Sequence, residues 1–344
     1  MFLFLRKSDL FLRINQIIKS FSFSHVFTLM ERRKAIDIFN YQALSEPLPM
    51  LFIDKYPENN LYGMSYVLGE YIDSKENHVK NLDSYIEHGL FFGNYVNRFS
   101  YLYKSRNIIT FGDYRKEILL QDENINERGK SILPIGPYIL YAQSILPKDK
   151  ITRVKRSLGK TLLVFPTHSI ANVTTDFDND EFVQEIESIR RKNNFDTVII
   201  SLYWKDIIDK PELCEEYIKF GYKITCSGHK HDIYFLNRQR SIIELSDMTM
   251  SNEVGTHVGY CVSLGKPHYV YSQDVSYKEG LENVLKAEKT SLEDYKSQQD
   301  AKDIVKKAFS IYSEFITDEQ RKVISYYWGS LTAIPRSILI DKIS

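Results

Sequence analysis

Residues 244–271 hold the pattern that decides the fold, and they read ELSDMTMSNEVGTHVGYCVSLGKPHYVY. Two apolar runs flank a polar turn, and a segment rich in small residues follows that turn and ends in Gly-Lys-Pro. We predict a strand over residues 241–247, a helix over residues 253–265 and a second strand over residues 266–272. Strand, helix and strand in this order form the repeating unit of α/β sheets. The stretch therefore predicts an α/β fold with a parallel sheet.

The same alternation extends through the second half of the chain. We predict further strands over residues 160–169, 196–204 and 222–232. Predicted helices over residues 180–194 and 210–221 connect these strands. Strands and helices that alternate in this way predict a doubly wound domain.

The first half of the chain contains shorter apolar runs, over residues 82–93, 105–114 and 131–140, and each of them stops at a turn that contains glycine. We interpret these runs as strands of a second parallel sheet. Residues 1–80 show no clear pattern. A charged segment over residues 141–160 is interpreted as the linker between the two sheets.

The length of 344 residues favours two domains. We place an N-terminal Rossmann-like domain at residues 1–150, a second Rossmann-like domain at residues 151–275 and a helical segment at residues 276–344. The predicted fold class is α/β, with two Rossmann-like domains, parallel sheets and C-terminal helices that pack back across both domains.

The composition argues against several classes of protein. Lys plus Arg and Asp plus Glu number 45 each, so bulk charge does not favour a nucleic-acid-binding protein, and we predict no nucleic-acid partner. Cys214, Cys226 and Cys261 form no CxxC pair, which argues against structural zinc and a disulfide framework. This use of cysteine is typical of a reducing compartment, so we predict a cytoplasmic location.

Residues 1–23 combine Phe, Leu and Ile with several basic residues, but they lack a long apolar core and a small-residue cleavage site. This pattern argues against a secretory signal. Two interpretations stay open. The segment either lies as an amphipathic element on the inner face of the cytoplasmic membrane, or it packs as a helix on its own domain.

Polar residues follow three of the predicted strands in the second half of the chain. Because open α/β sheets bind ligands beyond the carboxyl ends of their strands, we take these residues as candidates to bind a nucleotide. They are Thr167, His168 and Ser169, then Ser227, His229 and Lys230, and finally Ser251, Asn252, Glu253, Gly255 and Thr256. The chain has neither a GxGxxG fingerprint nor a P-loop, which argues against hydride transfer and P-loop phosphoryl transfer.

The turn at residues 251–256 has the features of an anion-binding helix start. Ser251 and Asn252 are favourable N-cap residues, and Glu253 adds a carboxylate to the first turn. Free backbone N–H groups at such a start can hold a phosphate, and Gly255 and Thr256 allow its close approach. The alternative is a plain capped helix packed against a sheet.

Histidines at two other strand ends suggest further chemistry. His229 and His231 have a spacing found in metal sites, but no cysteine, second histidine pair or HExxH motif accompanies them, so we predict no metal. His229 and Lys230 instead suit contacts with the phosphates or ribose of a nucleotide. His88 suits the role of a general base, because the ordinary pKa of imidazole lies near neutral pH. The alternative is that His88 only satisfies local backbone groups.

The order of six motifs resembles the GT-B-type transferases of bacterial surface-polysaccharide assembly, in particular the CDP-glycerol glycerophosphotransferase-like branch. The motifs are EHG (87–89), ITFGDY (109–114), ILPIGPY (132–138), LLVFPTHS (162–169), CSGHKHD (226–232) and LSDMTMSNEVGTHVGYCVSLGKP (245–267). Glu87 stands where that branch has tryptophan, and Ser-Asn-Glu-Val-Gly-Thr stands where it has Asp-Tyr-Ser-Ser. These departures favour an ordinary nucleotide sugar over a CDP-polyol as the donor.

The resemblance implies a metal-independent glycosyltransferase that uses a nucleotide sugar as co-substrate and no cofactor. It implies that His88, or Glu87 beside it, is the base on the acceptor hydroxyl, with the donor at the polar strand ends of residues 151–275. The implied acceptor is a glycan or lipid-linked glycan of capsule or lipopolysaccharide synthesis. The alternatives are a polyol-phosphate transferase, a sugar-nucleotide epimerase and a non-catalytic assembly protein with the same fold.

Overall fold

The computed structural model of the protein describes residues 25–72, 82–169, 173–288 and 290–343. The chain has an α/β fold in which the two larger sheets are parallel, as predicted. The interpretations of residues 1–23 concern a segment that lies outside the described residues.

The first sheet has three parallel strands in the order β1-β2-β3. Its strands are β1 (Ser84–Ile86), β2 (Asn107–Thr110) and β3 (Ser131–Pro134). All three lie within the apolar runs that the sequence analysis identified as strands. The turn that follows β1 begins with Glu87 and His88, so the predicted general base lies at the carboxyl end of this sheet.

The second sheet has five parallel strands in the order β7-β6-β4-β8-β9. These strands are β4 (Thr161–Phe165), β6 (Thr197–Ser201), β7 (Lys223–Thr225), β8 (Met248–Ser251) and β9 (His268–Val270). A separate antiparallel pair is formed by β5 (Thr175–Asp176) and β10 (Ser276–Tyr277). The strand order reverses between the neighbours β4 and β8, which opens a crevice at their carboxyl ends.

Helices cover the sheets and form the C-terminal part of the chain. They are α1 (Tyr41–Ser45), α2 (Met64–Ile72), α3 (Phe99–Leu102), α4 (Asp113–Gln121), α5 (Glu123–Asn126), α6 (Lys148–Leu158), α7 (Asn179–Lys192), α8 (Trp204–Asp209), α9 (Pro211–Lys219), α10 (Phe235–Leu245), α11 (Thr256–Ser263), α12 (Leu281–Glu288), α13 (Leu292–Phe309), α14 (Asp318–Tyr327) and α15 (Arg336–Ile343). Residues 25–34 are helical as well, and 3-10 helices lie at Pro57–Gly63 and Tyr138–Leu140.

The strand predicted over residues 241–247 is wrong, because most of these residues form the end of helix α10 and the strand of this unit is β8. Helix α10 buries side chains on nearly every side, among them Ile242, Ile243 and Leu245. A buried helix lacks the polar face that distinguishes a helix from a strand in the sequence, and the β-branched isoleucines favour a strand pattern.

The charged segment at residues 141–160 is not a linker, because it contains helix α6, which packs against α10. The largest hydrophobic core includes Ile109 of β2 and Leu163 of β4, so side chains from both sheets share it. The predicted boundary at residue 150 therefore falls inside a helix, and the division into separate domains stays a prediction.

The C-terminal helix α14 contacts α4 in the first half of the chain and α11 in the second half. Trp328 directly follows α14, its ring packs on Gly259 of α11, and its Nε1 donates a hydrogen bond to the carbonyl of Thr256 at 3.0 Å. In the first half of the chain, Gly112 follows β2 and lies close to the segment after α14. A Cβ at this position would lie 2.6 Å from the backbone nitrogen of Gly329. Glycine at positions 112 and 259 therefore permits the C-terminal segment to pack between the two sheets.

Candidate functional site

A cleft of about 590 Å³ lies at the carboxyl ends of β1, β4, β6, β7 and β8. The turn after β1 contributes one wall, and the loops of the five-stranded sheet contribute another. Predicted site residues line this cleft, and they are His88, Thr167, His168, Ser227, Glu253, Gly255 and Thr256. The structure thus brings together residues from both halves of the chain that the sequence analysis placed at separate strand ends.

His88 lies at the cleft wall with its ring edge-on to Phe91, and 5.3 Å separate the ring centroids. Burial lowers the pKa of His88 below its ordinary value, while the neighbouring Glu87 carboxylate raises it. Its Nδ1 is buried and has no hydrogen-bond partner among the residues that the structure describes. The lowered pKa keeps the imidazole neutral at physiological pH, which is the form that accepts a proton from a hydroxyl.

Glu87 has a structural role instead of the predicted role as a base. Arg115 contacts both of its oxygens, with Nη2 at 2.7 Å from Oε1 and Nε at 3.0 Å from Oε2. Thr110 Oγ1 donates a further hydrogen bond to Oε2 at 2.6 Å. Both charged side chains are 0% exposed, and Glu87 does not line the cleft. Its carboxylate fixes the end of β1, where His88 begins the turn into the cleft.

Helix α11 begins at Thr256 with Gly255 as its N-cap residue, and no side chain caps it. The N–H groups of an uncapped first turn carry partial positive charge and point away from the helix. Thr256 Oγ1 accepts a hydrogen bond from the Leu90 N–H at 3.1 Å, which joins the turn after β1 to the start of α11. The helix start and His88 are therefore held in the same cleft by a direct contact between their segments.

The prediction that Ser251 and Asn252 are N-caps is wrong. Ser251 ends β8, and its Oγ donates to the carbonyl of Glu253 at 2.8 Å and lies 3.0 Å from His268 Nε2. Asn252 Oδ1 accepts a hydrogen bond from the Thr167 N–H at 2.7 Å. Both residues are completely buried and do not line the cleft. They position the loops after β4 and β8 and cannot contact a ligand in the cleft directly.

Glu253 lies before α11 and not in its first turn as predicted. Its Oε1 accepts a hydrogen bond from the Val254 N–H at 2.7 Å, and its Oε2 lies 3.1 Å from Lys306 Nζ. The carboxylate therefore connects the loop after β8 to helix α13, and its charge is already paired.

Three further predicted residues lie outside the cleft lining. Ser169 is buried, and its Oγ donates to Asp206 Oδ1 at 2.6 Å. His229 is 4% exposed and lies edge-on to Trp204, and burial, followed by the charges of His231 and Lys230, lowers its pKa to about 4. The carbonyl of Lys230 accepts a hydrogen bond from the Tyr62 N–H at 2.7 Å. His229 and Ser169 therefore support the loops behind the cleft.

His257 was not among the predicted site residues, but it lines the cleft in the first turn of α11. Its ring stacks on Phe165 with 4.9 Å between centroids, and its Nε2 is buried without a partner among the described residues. Burial, with a smaller contribution from His168, lowers the pKa of His257 to about 3. A histidine inside a helix of apolar and small residues carries no sequence signal beyond its residue type.

Aromatic side chains from distant segments were missed as well. The hydroxyls of Tyr62 and Tyr203 are 3.4 Å apart, and the Tyr62 ring lies edge-on to Phe235 at 5.0 Å. Tyr62 adopts a φ of +54°, which is uncommon for a residue with a side chain. This tyrosine belongs to the part of the chain in which the sequence shows no clear pattern, so nothing in it predicts a place in the cleft.

Comparisons with known proteins identify no relative: no protein-family model, no curated protein and no solved structure matches the chain. Within the described ranges, no group of three or more His, Cys, Asp and Glu side chains is arranged to bind a metal ion. Among the same residues, no helix is long and apolar enough to cross a membrane. The interpretation of the cleft therefore depends on its own residues.

Proposed function

We propose that the protein is a glycosyltransferase that moves a sugar from a nucleotide sugar to a hydroxyl of a surface-polysaccharide acceptor. The proposal depends on one observation: a candidate base and a candidate phosphate-binding helix start line the same cleft. His88, a neutral histidine, comes from the first sheet, and the uncapped start of α11 comes from the second. His88 can remove a proton from an acceptor, and the start of α11 can hold the phosphates of a donor.

The sheet order supports the donor half of the proposal. When the strands of the five-stranded sheet are numbered by their place in the chain, their spatial order is 3-2-1-4-5. This is the order of doubly wound sheets, which bind nucleotides where the order reverses. Residues that follow the two central strands, Thr167 after β4 and Gly255 after β8, line the cleft. We therefore propose a Rossmann-like donor domain, and a GT-B-like arrangement in which the three-stranded sheet carries the acceptor.

The cleft suits a ligand of this class in size and character. Its volume of about 590 Å³ lies within the range of small-molecule sites, which is roughly 300–1,000 Å³. The aromatic rings of Tyr62, Tyr203 and Phe235 line it and offer apolar faces to a sugar or a base. At the polar start of α11, the helix dipole stabilises the negative charge that develops on a leaving diphosphate. The proposed reaction takes place on the cytoplasmic side of the membrane, with a glycan or lipid-linked glycan as acceptor.

The first test is the thermal stability of the protein with CMP, CDP, UDP, GDP or dTDP, in the presence and absence of magnesium. We expect one nucleotide to stabilise the fold independently of magnesium, by about 2.7 kcal/mol at a concentration 100 times its Kd. Equal unfolding temperatures with all five nucleotides and without them would contradict the proposal.

The second test separates binding from transfer. His88→Gln is expected to bind the same nucleotide as tightly as the unmodified protein, but to transfer sugar about 10²–10⁴-fold more slowly, because it has no general base. The control is His25→Gln, since His25 is exposed and does not line the cleft. Unchanged transfer by His88→Gln would remove this residue from the proposed mechanism.

A further inference from the structure

Helix α13 presents polar side chains to the cleft at every fourth position. Asp294, Gln298 and Lys302 line the cleft, and Lys306 continues the row and pairs with Glu253 at 3.1 Å. Residues four positions apart lie on the same face of a helix. One polar face of α13 therefore forms part of the cleft wall, although this helix belongs to neither sheet.

Helix α13 is attached to both sides of the cleft. Gly93, in the segment after β1, lies so close to α13 that a Cβ at this position would lie 2.7 Å from the backbone nitrogen of Gln298. Further along the helix, Lys306 pairs with Glu253, which precedes α11, and both side chains are 17% exposed. Lys302 lies between Gln298 and Lys306 in the chain. It therefore sits on a part of α13 that is held in place from both sides.

Lys302 is the only lysine or arginine among the described residues that line the cleft. The carboxylates of the lining have other partners. Glu253 is paired with Lys306, and Asp294 accepts a hydrogen bond from Ser291 Oγ at 2.8 Å. Asp294 also lies eight residues from Lys302, or about 12 Å along the helix axis. In the described ranges Lys302 forms no ion pair. The Lys302 ammonium group lines the cleft and is therefore available to form a charge-assisted contact with an anionic ligand there.

We propose that Lys302 binds the diphosphate of the ligand that occupies this cleft. The inference rests on the proposed function, because the diphosphate is that of the nucleotide-sugar donor. The anion gains a positive charge from α13 and N–H donors from the first turn of α11, which lines the same cleft. Lys302 thus extends the donor site beyond the five-stranded sheet to the C-terminal helices.

The test is calorimetric titration of the full chain with inorganic pyrophosphate and with CDP, UDP and GDP. Lys302→Gln is expected to bind pyrophosphate and the preferred nucleotide about 10–100-fold more weakly, because it loses one charge-assisted contact. Lys302→Arg keeps the charge and is expected to bind within about threefold of the unmodified protein. The matched control is Lys307→Gln, since Lys307 is an exposed lysine on the same helix that does not line the cleft.

The outcomes distinguish this inference from the function on which it rests. If Lys302→Gln binds a nucleoside diphosphate as tightly as the unmodified protein, the role of Lys302 is refuted and the donor site stands. If the unmodified protein binds pyrophosphate through Lys302 but binds no nucleotide, the anion site stands and the proposed function is refuted. If the unmodified protein binds neither pyrophosphate nor a nucleotide, both are refuted.

Discussion

The buried pair of Glu87 and Arg115 predicts how the strand end beside His88 responds to mutation. Arg115→Met removes the guanidinium and leaves the Glu87 carboxylate with the hydroxyl of Thr110 as its remaining contact among those described. Because both charged side chains are 0% exposed, the carboxylate cannot regain water without a rearrangement of the chain. We expect a loss of about 3–5 kcal/mol in the free energy of unfolding, measured by denaturation in guanidinium chloride.

The double variant Glu87→Leu/Arg115→Met gives the decisive comparison. It replaces the pair by apolar side chains, a change that is often close to neutral, so it is expected to be more stable than Arg115→Met alone by about 2 kcal/mol or more. Arg153→Met is the control, because the pair of Arg153 and Asp149 is exposed and worth less than about 1 kcal/mol. A loss in Arg115→Met no larger than that in Arg153→Met would refute the reasoning. A Glu87→Gln protein with unchanged stability and no transfer would return Glu87 to a catalytic role.

Two other predictions follow from the packing and the titrating groups. Gly259→Ala is expected to lower the unfolding temperature, because its Cβ would overlap the Trp328 ring, but in a Trp328→Ala background it is expected to raise stability by up to about 1 kcal/mol. The same effect in both backgrounds would contradict this packing argument. Burial lowers the pKa of His257 to about 3 and that of His229 to about 4, so the unfolded chain takes up these protons at higher pH than the folded chain. The contribution of these two histidines to the free energy of unfolding is expected to be level above pH 6.5 and to fall between pH 6.5 and pH 4, by at most about 1.4 kcal/mol per pH unit for each histidine. His257→Gln should reduce this slope, and an unchanged slope would count against the buried, neutral state of the ring.

The existence and order of most strands were predictable from the sequence because their signals are local. In β4 all five residues are buried, so the strand appears as an apolar run, but it ends at Phe165 before Pro166, whereas the prediction extended it to residue 169. The turn at His88 after β1 was recognised for the same reason, since a short apolar run stops at Gly89. Parallel strands bring their carboxyl ends to one edge, and the prediction that polar residues gather there followed from that geometry.

The parts of the site that the sequence did not reveal depend on contacts between distant segments. Ser251 and Asn252 have the residue types of N-caps, but their side chains bond to His268 in strand β9 and to Thr167 in the loop after β4. Lys302 has the spacing of a helix face that normally points to solvent, and the contacts of α13 with Gly93 and Glu253 place that face at the cleft. The residue type predicts only local structure, such as a helix cap. The roles of Ser251, Asn252 and Lys302 depend instead on which distant segments pack beside them.

The contacts between the walls of the cleft bear on how such a site would work. The Leu90 N–H bonds to Thr256 Oγ1, so the turn that carries His88 is joined to the helix start that would hold the phosphates. Lys306 joins α13 to Glu253 on the loop before that helix. Each wall is therefore fixed to another by a direct polar contact. The N–H donors at the start of α11 therefore need little reorganisation when charge develops on a ligand. Electrostatic stabilisation of a leaving group is most effective when its donors are positioned in advance. Because these bonds already join the walls, we infer that a ligand can enter a cleft that is largely formed without it.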